Sequence, residues 1–565
     1  MAVGLLFLAM VQFSHAQVIS PRRLVEVADI GQPVVSPDGA YVAFRVEQAS
    51  IERDDYGSSW YVQRMDGEAP ANRVADGGIP LRDSAGMPLP AVAAWSYDGR
   101  WIYYRALIDG RIDVWRAATD GSESAPVTLD PADVHEFHLT DRGRGIAYSV
   151  GPTREQVAAA EQAEYEHGTR IDGTVPLGQG LYRSGFTDGR LATQRFGTVW
   201  FDRASLLADV PLRWKEINLI DGARRELPSY AADSRRSSAS RPPHQLARAW
   251  KLAPDTRQDR TALLTRVGER DGLRDKPDIE LAVLPGTGAR SPVRCEAELC
   301  RKQPITSLQW RPGSDEVLFT VTDPDEGLAQ SIFRWNVETG VVHPVVRSRG
   351  LINGGRDSSS LCGVSAHALA CVVAEAGDPP RLERIDIDSG ERQELLRPNA
   401  ALAHDMSQVA VHLLKWTDAR GQTFTGQYFP AKRQEGKRRP PLFISYYRCL
   451  GFLRGGMGDE WPLASLAQQG ISALCINAAP YRVNATERYE SGLAATKGFI
   501  ALLADRGEID SSKVGFGGLS FGSEVALWLA TESNLLAAVS VSSPVISPNY
   551  YLFNMLKGEQ FLSGL

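Results

Sequence analysis

The chain has 565 residues, of which 43% are apolar and 23% charged, and a formal net charge of −6. This is the composition of an ordinary globular protein of two or three domains, and it excludes a coiled coil, a collagen-like chain and a disordered tail. So mild a negative charge gives no basis for a nucleic-acid or anionic-membrane partner.

The first element is an apolar run, Ala2–Val11, followed by Ser14-His15-Ala16. Ten apolar residues are too few to cross a hydrocarbon core that needs about 20, so no membrane span is expected. Small residues before Gln17 fit a secretory cleavage site, although the basic start of such a segment is missing. Residues 1–16 therefore read as a signal peptide and the protein as exported, to the periplasm. The alternative is a buried first strand or helix in a cytoplasmic protein.

From residue 17 to 406 one pattern recurs: turn residues feed a strand rich in β-branched and aromatic residues. Ser36-Pro37-Asp38-Gly39 precedes Ala40–Phe44, and Trp95-Ser96-Tyr97-Asp98-Gly99 precedes Trp101–Tyr104. Thr140–Gly145 precedes Ile146–Tyr148, and Trp310-Arg311-Pro312-Gly313-Ser314-Asp315 precedes Glu316–Phe319. Each is a β-turn entering a strand. The copies lie about 40–60 residues apart, the spacing of a four-stranded blade with its loops. Residues 17–406 are thus predicted to form a β-propeller of seven or eight blades, with a pair of β-sandwiches as the alternative. Two insertions interrupt the pattern. Thr153-Arg154-Glu155-Gln156 is a capping box opening a helix to His167, and Ser234–Pro243 is a polar surface loop.

Six cysteines fall in three local pairs: Cys295 with Cys300, Cys362 with Cys371, and Cys449 with Cys475. In an oxidising compartment they form three bridges, although six cysteines allow fifteen pairings. No histidine stands near a pair at ligand spacing, so no metal site is expected.

After Ser407 the period changes. A hairpin, Val409–Thr417 with Thr423–Phe429, leads through the basic loop Lys432–Arg439 to strand Leu442–Tyr446. Helix Pro462–Gln469, strand Ile471–Ile476, helix Tyr489–Asp505, strand Val514–Gly517, helix Phe521–Thr531 and strand Ala537–Val541 then alternate. Apolar strands separated by helices specify a parallel sheet covered on both faces, so 407–565 reads as an α/β domain.

Between strand Val514–Gly517 and the next helix stands Gly518-Leu519-Ser520-Phe521-Gly522. This is G-x-S-x-G in the strand–turn–helix context that its mechanism demands. The serine projects from a tight turn above the sheet, and glycines two before and two after it let strand and helix approach. Ser520 is the predicted nucleophile. The oxyanion needs two donors: the backbone N–H of Phe521, and a group from the turn after Leu442–Ser445, where Tyr446 and Tyr447 both qualify by position.

A serine needs a base, and the base an acid to orient it. No histidine follows Ser520; the last of nine is His412. Of the later acids, Glu524 and Glu532 lie on the elbow helix and Glu559 near the end, none placed like a triad acid. The domain therefore reads as an α/β-hydrolase truncated before its acid and base, and residues 1–565 alone as inactive.

The order of domains and the elbow resemble the prolyl oligopeptidase family of serine peptidases. The resemblance runs from Ser20–Val25 and the Ser36–Gly39 turn, through Pro441–Tyr447, to Gly507–Asp510 and Gly518–Gly522. It implies the oxyanion role for Tyr447, a peptide substrate and no cofactor. Where the family usually has a second glycine after the elbow, this chain has Ser523. The stretches Tyr446–Gly456 and Gly518–Glu524 resemble a narrower group, the lasso-peptide isopeptidases, which implies cleavage of the isopeptide bond of a threaded peptide. A conventional oligopeptidase or dipeptidyl peptidase and a non-catalytic peptide-binding fragment are the alternatives.

Overall fold

The computed structural model describes residues 18–544 apart from 82–88, 90, 169–181, 188–189, 194, 197–202, 205, 208–209, 229–248, 256–258, 268–277, 287–290, 302, 433–437, 456–460 and 479–484. The expected signal peptide and the expected Ser234–Pro243 loop lie outside these residues.

The N-terminal lobe is a succession of largely antiparallel sheets: an eight-stranded one in which 29–78 and 94–126 join by a parallel pairing of Gly78 with Leu107, then sheets within 132–227, 249–294, 305–347 and 351–396, and two two-stranded sheets within 182–204. The recurring turn has a local cause. Ser36 Oγ donates to Asp38 at 2.5 Å and accepts the Tyr41 N–H at 2.9 Å, and Gly39 takes φ 78°. The second half of the same sheet repeats this with Ser96, Asp98, Trp101 and Gly99. The serine hydroxyl holds the carboxyl of Asp38, and likewise of Asp98, below the usual carboxylate range. A turn fixed by its own side chains delivers the following strand in one register.

Buried side chains join most neighbours in this succession. Trp60 and Val62 pack with Tyr104 and Ile102 between the two halves of the eight-stranded sheet, and Tyr103 and Val114 with Ile146 and Tyr148 of the sheet within 132–227. Leu264 and Leu281 pack with Phe319 and Trp335, and Ile332 with Leu369 and Ile385. The first sheet returns onto the last, where Ile30, Val42 and Phe44 meet Ala370, Val372 and Leu382. Seven sheets stand among the described residues of this lobe. The predicted helix is present as Arg154–His167 with both capping-box bonds formed.

The C-terminal lobe is one mixed sheet. Its strands are β1 (His412–Thr417), β2 (Thr423–Phe429), β3 (Leu442–Tyr447), β4 (Ser472–Asn477), β5 (Val514–Leu519) and β6 (Ala538–Ser542), in the spatial order β1-β2-β4-β3-β5-β6. β1, β2 and β4 pair antiparallel, whereas β4, β3, β5 and β6 are parallel. Helices α1 (Leu463–Gln468), α2 (Ala485–Asp505) and α3 (Phe521–Glu532) connect the parallel strands. Ile444, Leu474, Phe499, Leu503, Phe516 and Val525 are fully buried between the sheet and α2 and α3. None of the described helices is long and apolar enough to cross a membrane.

The lobes share a core. Ile19, Leu24 and Val27 pack with Ala374, Leu402, Met406, Phe429, Phe452 and Leu463. The opening segment thus seats against the C-terminal sheet, although its sequence position suggested the N-terminal lobe. Polar ties cross the same interface. Ile19 N–H donates to Gln468 Oε1 at 2.7 Å and Arg454 pairs with Asp29 at 2.6 Å, while Arg23 of the opening segment pairs with Asp405 just ahead of the C-terminal lobe at 2.6 Å. Cys295–Cys300, Cys362–Cys371 and Cys449–Cys475 are bonded, so the local pairing expected from the sequence is the one formed.

Candidate active site

β5 ends in the middle of the parallel sheet, between β3 and β6, and Ser520 occupies the corner before α3. Its φ is 51° and its ψ −119°, a conformation that L-residues seldom adopt. The corner is held on both sides. Ser520 N–H donates to the Ser542 carbonyl at 3.0 Å, and its own carbonyl accepts from Ser523 N–H at 2.8 Å. Two glycines make the approach possible. A Cβ on Gly518 would stand 2.1 Å from the Gly522 carbonyl group, and one on Gly522 would stand 2.2 Å from the Tyr446 carbonyl oxygen. Ser520 is half-buried, not sealed in packing.

Ser523, at the family's glycine position, is fully buried. Its hydroxyl lies 2.5 Å from the Gly518 carbonyl oxygen and 2.6 Å from that of Ser542, and it accepts the Ser542 N–H at 3.0 Å. It ties β5, α3 and β6 together under the nucleophile.

Phe521 is the first residue of α3, where an N–H has no partner within the helix and the helix dipole is positive. Tyr446 and Tyr447 separate in the structure. Tyr446 is buried among Ile444, Phe516 and Val525, and its ring contacts Phe516 at 6.3 Å. Tyr447 is half-buried at the strand end and meets the Phe521 ring edge-on at 5.2 Å. Burial pushes the Tyr447 phenol up from its usual value of 10.0, so at neutral pH it carries a proton that it can donate.

Residues of α2, which the sequence reading passed over, complete the surroundings. Tyr489 stacks on Phe521 at 5.9 Å and donates to Glu524 Oε2 at 2.7 Å. The Arg488 guanidinium lies 4.5 Å from the Phe521 ring centroid. Burial raises the Glu524 carboxyl above its ordinary value, against the opposing pull of the Tyr489 hydroxyl and Arg488. Glu524 is thus occupied by Tyr489. His412 lies on β1, across β2, β4 and β3 from the elbow, and does not approach it.

No protein-family profile matches the chain. It is 27% identical over 571 aligned residues to the lasso peptide isopeptidase AtxE2 of Asticcacaulis excentricus, covering 94% of this chain and 74% of that protein. The chain is a homologue of AtxE2. Apo AtxE2 superposes with a TM-score of 0.76 at 24% identity over 97% of this chain and 82% of that one. A serine-to-alanine variant of AtxE2 with Astexin3-dC4 bound superposes equally well. The acylaminoacyl peptidase of Pyrococcus horikoshii shares the fold more distantly, with a TM-score of 0.62 at 13% identity over 95% of this chain and 80% of its own. A dipeptidyl-peptidase 5 of Porphyromonas endodontalis is 25% identical over 139 residues, 25% of this chain and 19% of that protein.

Proposed function

We propose that this protein is an exported serine peptidase that hydrolyses a peptide or isopeptide amide bond through an acyl-enzyme on Ser520, with lasso peptides as its substrate class. The observation that carries the reading is the conformation of Ser520 at the head of α3. The relationship to AtxE2 along most of the chain supports the substrate class.

In the proposed reaction Ser520 Oγ attacks the amide carbonyl and gives up its proton to a base. The tetrahedral oxyanion accepts hydrogen bonds from the Phe521 N–H and the Tyr447 hydroxyl, each such donor being worth about 3–4 kcal/mol. The intermediate collapses, the amine leaves with the proton, and water then attacks the acyl-enzyme. No metal or organic cofactor is needed.

In this reading 1–16 is a signal peptide, 17–406 a β-propeller whose blades are the successive N-terminal sheets, and 407–565 the peptidase domain. The propeller walls the cleft so that compact peptides enter and folded proteins do not.

The test compares hydrolysis of a threaded lasso peptide and of its linear variant by the full gene product. Cleavage at the isopeptide bond of the threaded form, lost in Ser520→Ala, is the expected result. Cleavage of the linear peptide alone assigns the protein as a conventional oligopeptidase. Binding without cleavage, and no fluorophosphonate labelling of Ser520, assigns it as a peptide receptor.

A further inference from the structure

The turn that carries Tyr447 is held more firmly than the exit from a strand requires. Cys449, two residues on, is bonded to Cys475 of β4 with their Cα atoms 5.9 Å apart. The Cys449 N–H donates to Asn477 Oδ1 at 2.8 Å, and the Ala478 N–H donates to the Tyr447 carbonyl at 2.8 Å. The other end of the Asn477 amide donates to Thr425 Oγ1 at 3.2 Å. That leaves the single hydroxyl proton of Thr425 for the Pro324 carbonyl, 3.2 Å away in the N-terminal lobe. Cys449, Cys475, Asn477 and Thr425 are all buried.

Each link has one sense. An amide with its oxygen and its nitrogen both engaged cannot be flipped, and a hydroxyl that accepts on one side donates on the other. The chain of bonds therefore runs in one direction, from Cys449 beside the oxyanion turn to a carbonyl on the far side of the lobe interface. A donor that drifts by about 1 Å can cost a reaction about 100-fold, so the placing of Tyr447 bears directly on rate.

We infer that the Cys449–Cys475 disulfide, Asn477 and Thr425 form a positioning relay, which sets the Tyr447 hydroxyl for the oxyanion and couples that setting to docking of the two lobes through Pro324. The inference rests on the assignment of Tyr447 as oxyanion donor. The four residues touch no substrate; they act through the turn.

The experiment measures amide hydrolysis by the full gene product carrying Cys449→Ala/Cys475→Ala or Thr425→Val, each alone and combined with Tyr447→Phe. The disulfide variant is expected to lose about tenfold or more in kcat with KM within about twofold, and Thr425→Val severalfold. In the Tyr447→Phe background neither is expected to lose anything further, because the group they position is gone. Equal losses in both backgrounds, or a change confined to KM, would overturn the relay. Thr425→Val is isosteric and leaves the turn covalently intact, so it decides the matter if the disulfide variant fails to fold. If Tyr447→Phe keeps wild-type kcat, the oxyanion assignment fails and takes the relay with it. If Tyr447→Phe is slow while both relay variants are fast, the relay alone fails.

Discussion

Ser520 holds a backbone conformation that costs a non-glycine residue of order 1–3 kcal/mol, and its neighbours impose it through Ser542 and Ser523. Removing both hydroxyl and strain separates stability from activity. Ser520→Gly is expected to abolish acyl-enzyme formation while melting at or above the wild-type temperature, a pairing that thermal denaturation and fluorophosphonate labelling check together. Tyr447→Phe is expected to lower kcat by about 100- to 1,000-fold with little change in KM. Because burial raises the Tyr447 phenol above its ordinary value of 10.0, the donor persists through that pH. The ratio of wild-type to Tyr447→Phe kcat should therefore stay flat from pH 7 to about 10; a ratio that collapses below pH 9 contradicts the assignment. Glu524 works in the opposite sense to a salt-bridged carboxylate. Its folded-state value is raised, so the stability it contributes is full below its ordinary 4.5 and is lost as pH rises through the folded value. Glu524→Gln keeps an acceptor for Tyr489, and should raise the melting temperature at pH 7 and lose that advantage at pH 4.

At the scale of elements, legibility tracked how local the cause is. The Ser36–Gly39 turn, the Thr153 capping box, the alternation after Ser407 and the elbow at Ser520 are each fixed by residues within a few positions, and each stands where the sequence put it. The three bridges were legible because each closes a short loop. Tyr446 and Tyr447 were not separable, since both stand at a strand end and only the packing of α2 and α3 decides which one is buried. Arg488 and Tyr489 carried no motif; they reach the site because α2 lies against α3. The elbow glycines give a sharp test at this scale. Gly518→Ala places a methyl 2.1 Å from the Gly522 carbonyl group, where overpacking costs about 1–3 kcal/mol or more. The expected outcome is a protein that loses labelling at Ser520 even where circular dichroism shows the sheet intact. Ser523→Ala leaves the half-buried Ser542 N–H without that acceptor and should cost about 1 kcal/mol by denaturant titration.

At the scale of the whole molecule, the shared core makes the lobes one cooperative unit. Leu24 is fully buried in it, so Leu24→Ala is expected to destabilise the protein by about 2–5 kcal/mol. It should lower the melting of both lobes together; a calorimetric trace that splits into two transitions, with only one displaced, contradicts the shared core. The seat of the opening segment was invisible in the sequence, because nothing within residues 18–27 specifies a partner some 400 positions away.

That seat has a consequence for biogenesis. Ile19, Leu24 and Val27 leave the ribosome long before their partners, for the cradle that receives them is finished only when Phe429, Leu463 and Ala473 have been made. At a synthesis rate of about 5–20 residues per second, this leading strip waits roughly 20–90 s, greasy and unsheltered, before its berth exists. The nascent polypeptide therefore cannot lock shut from its front end, and whatever escorts it meanwhile must keep those few side chains from finding the wrong neighbour.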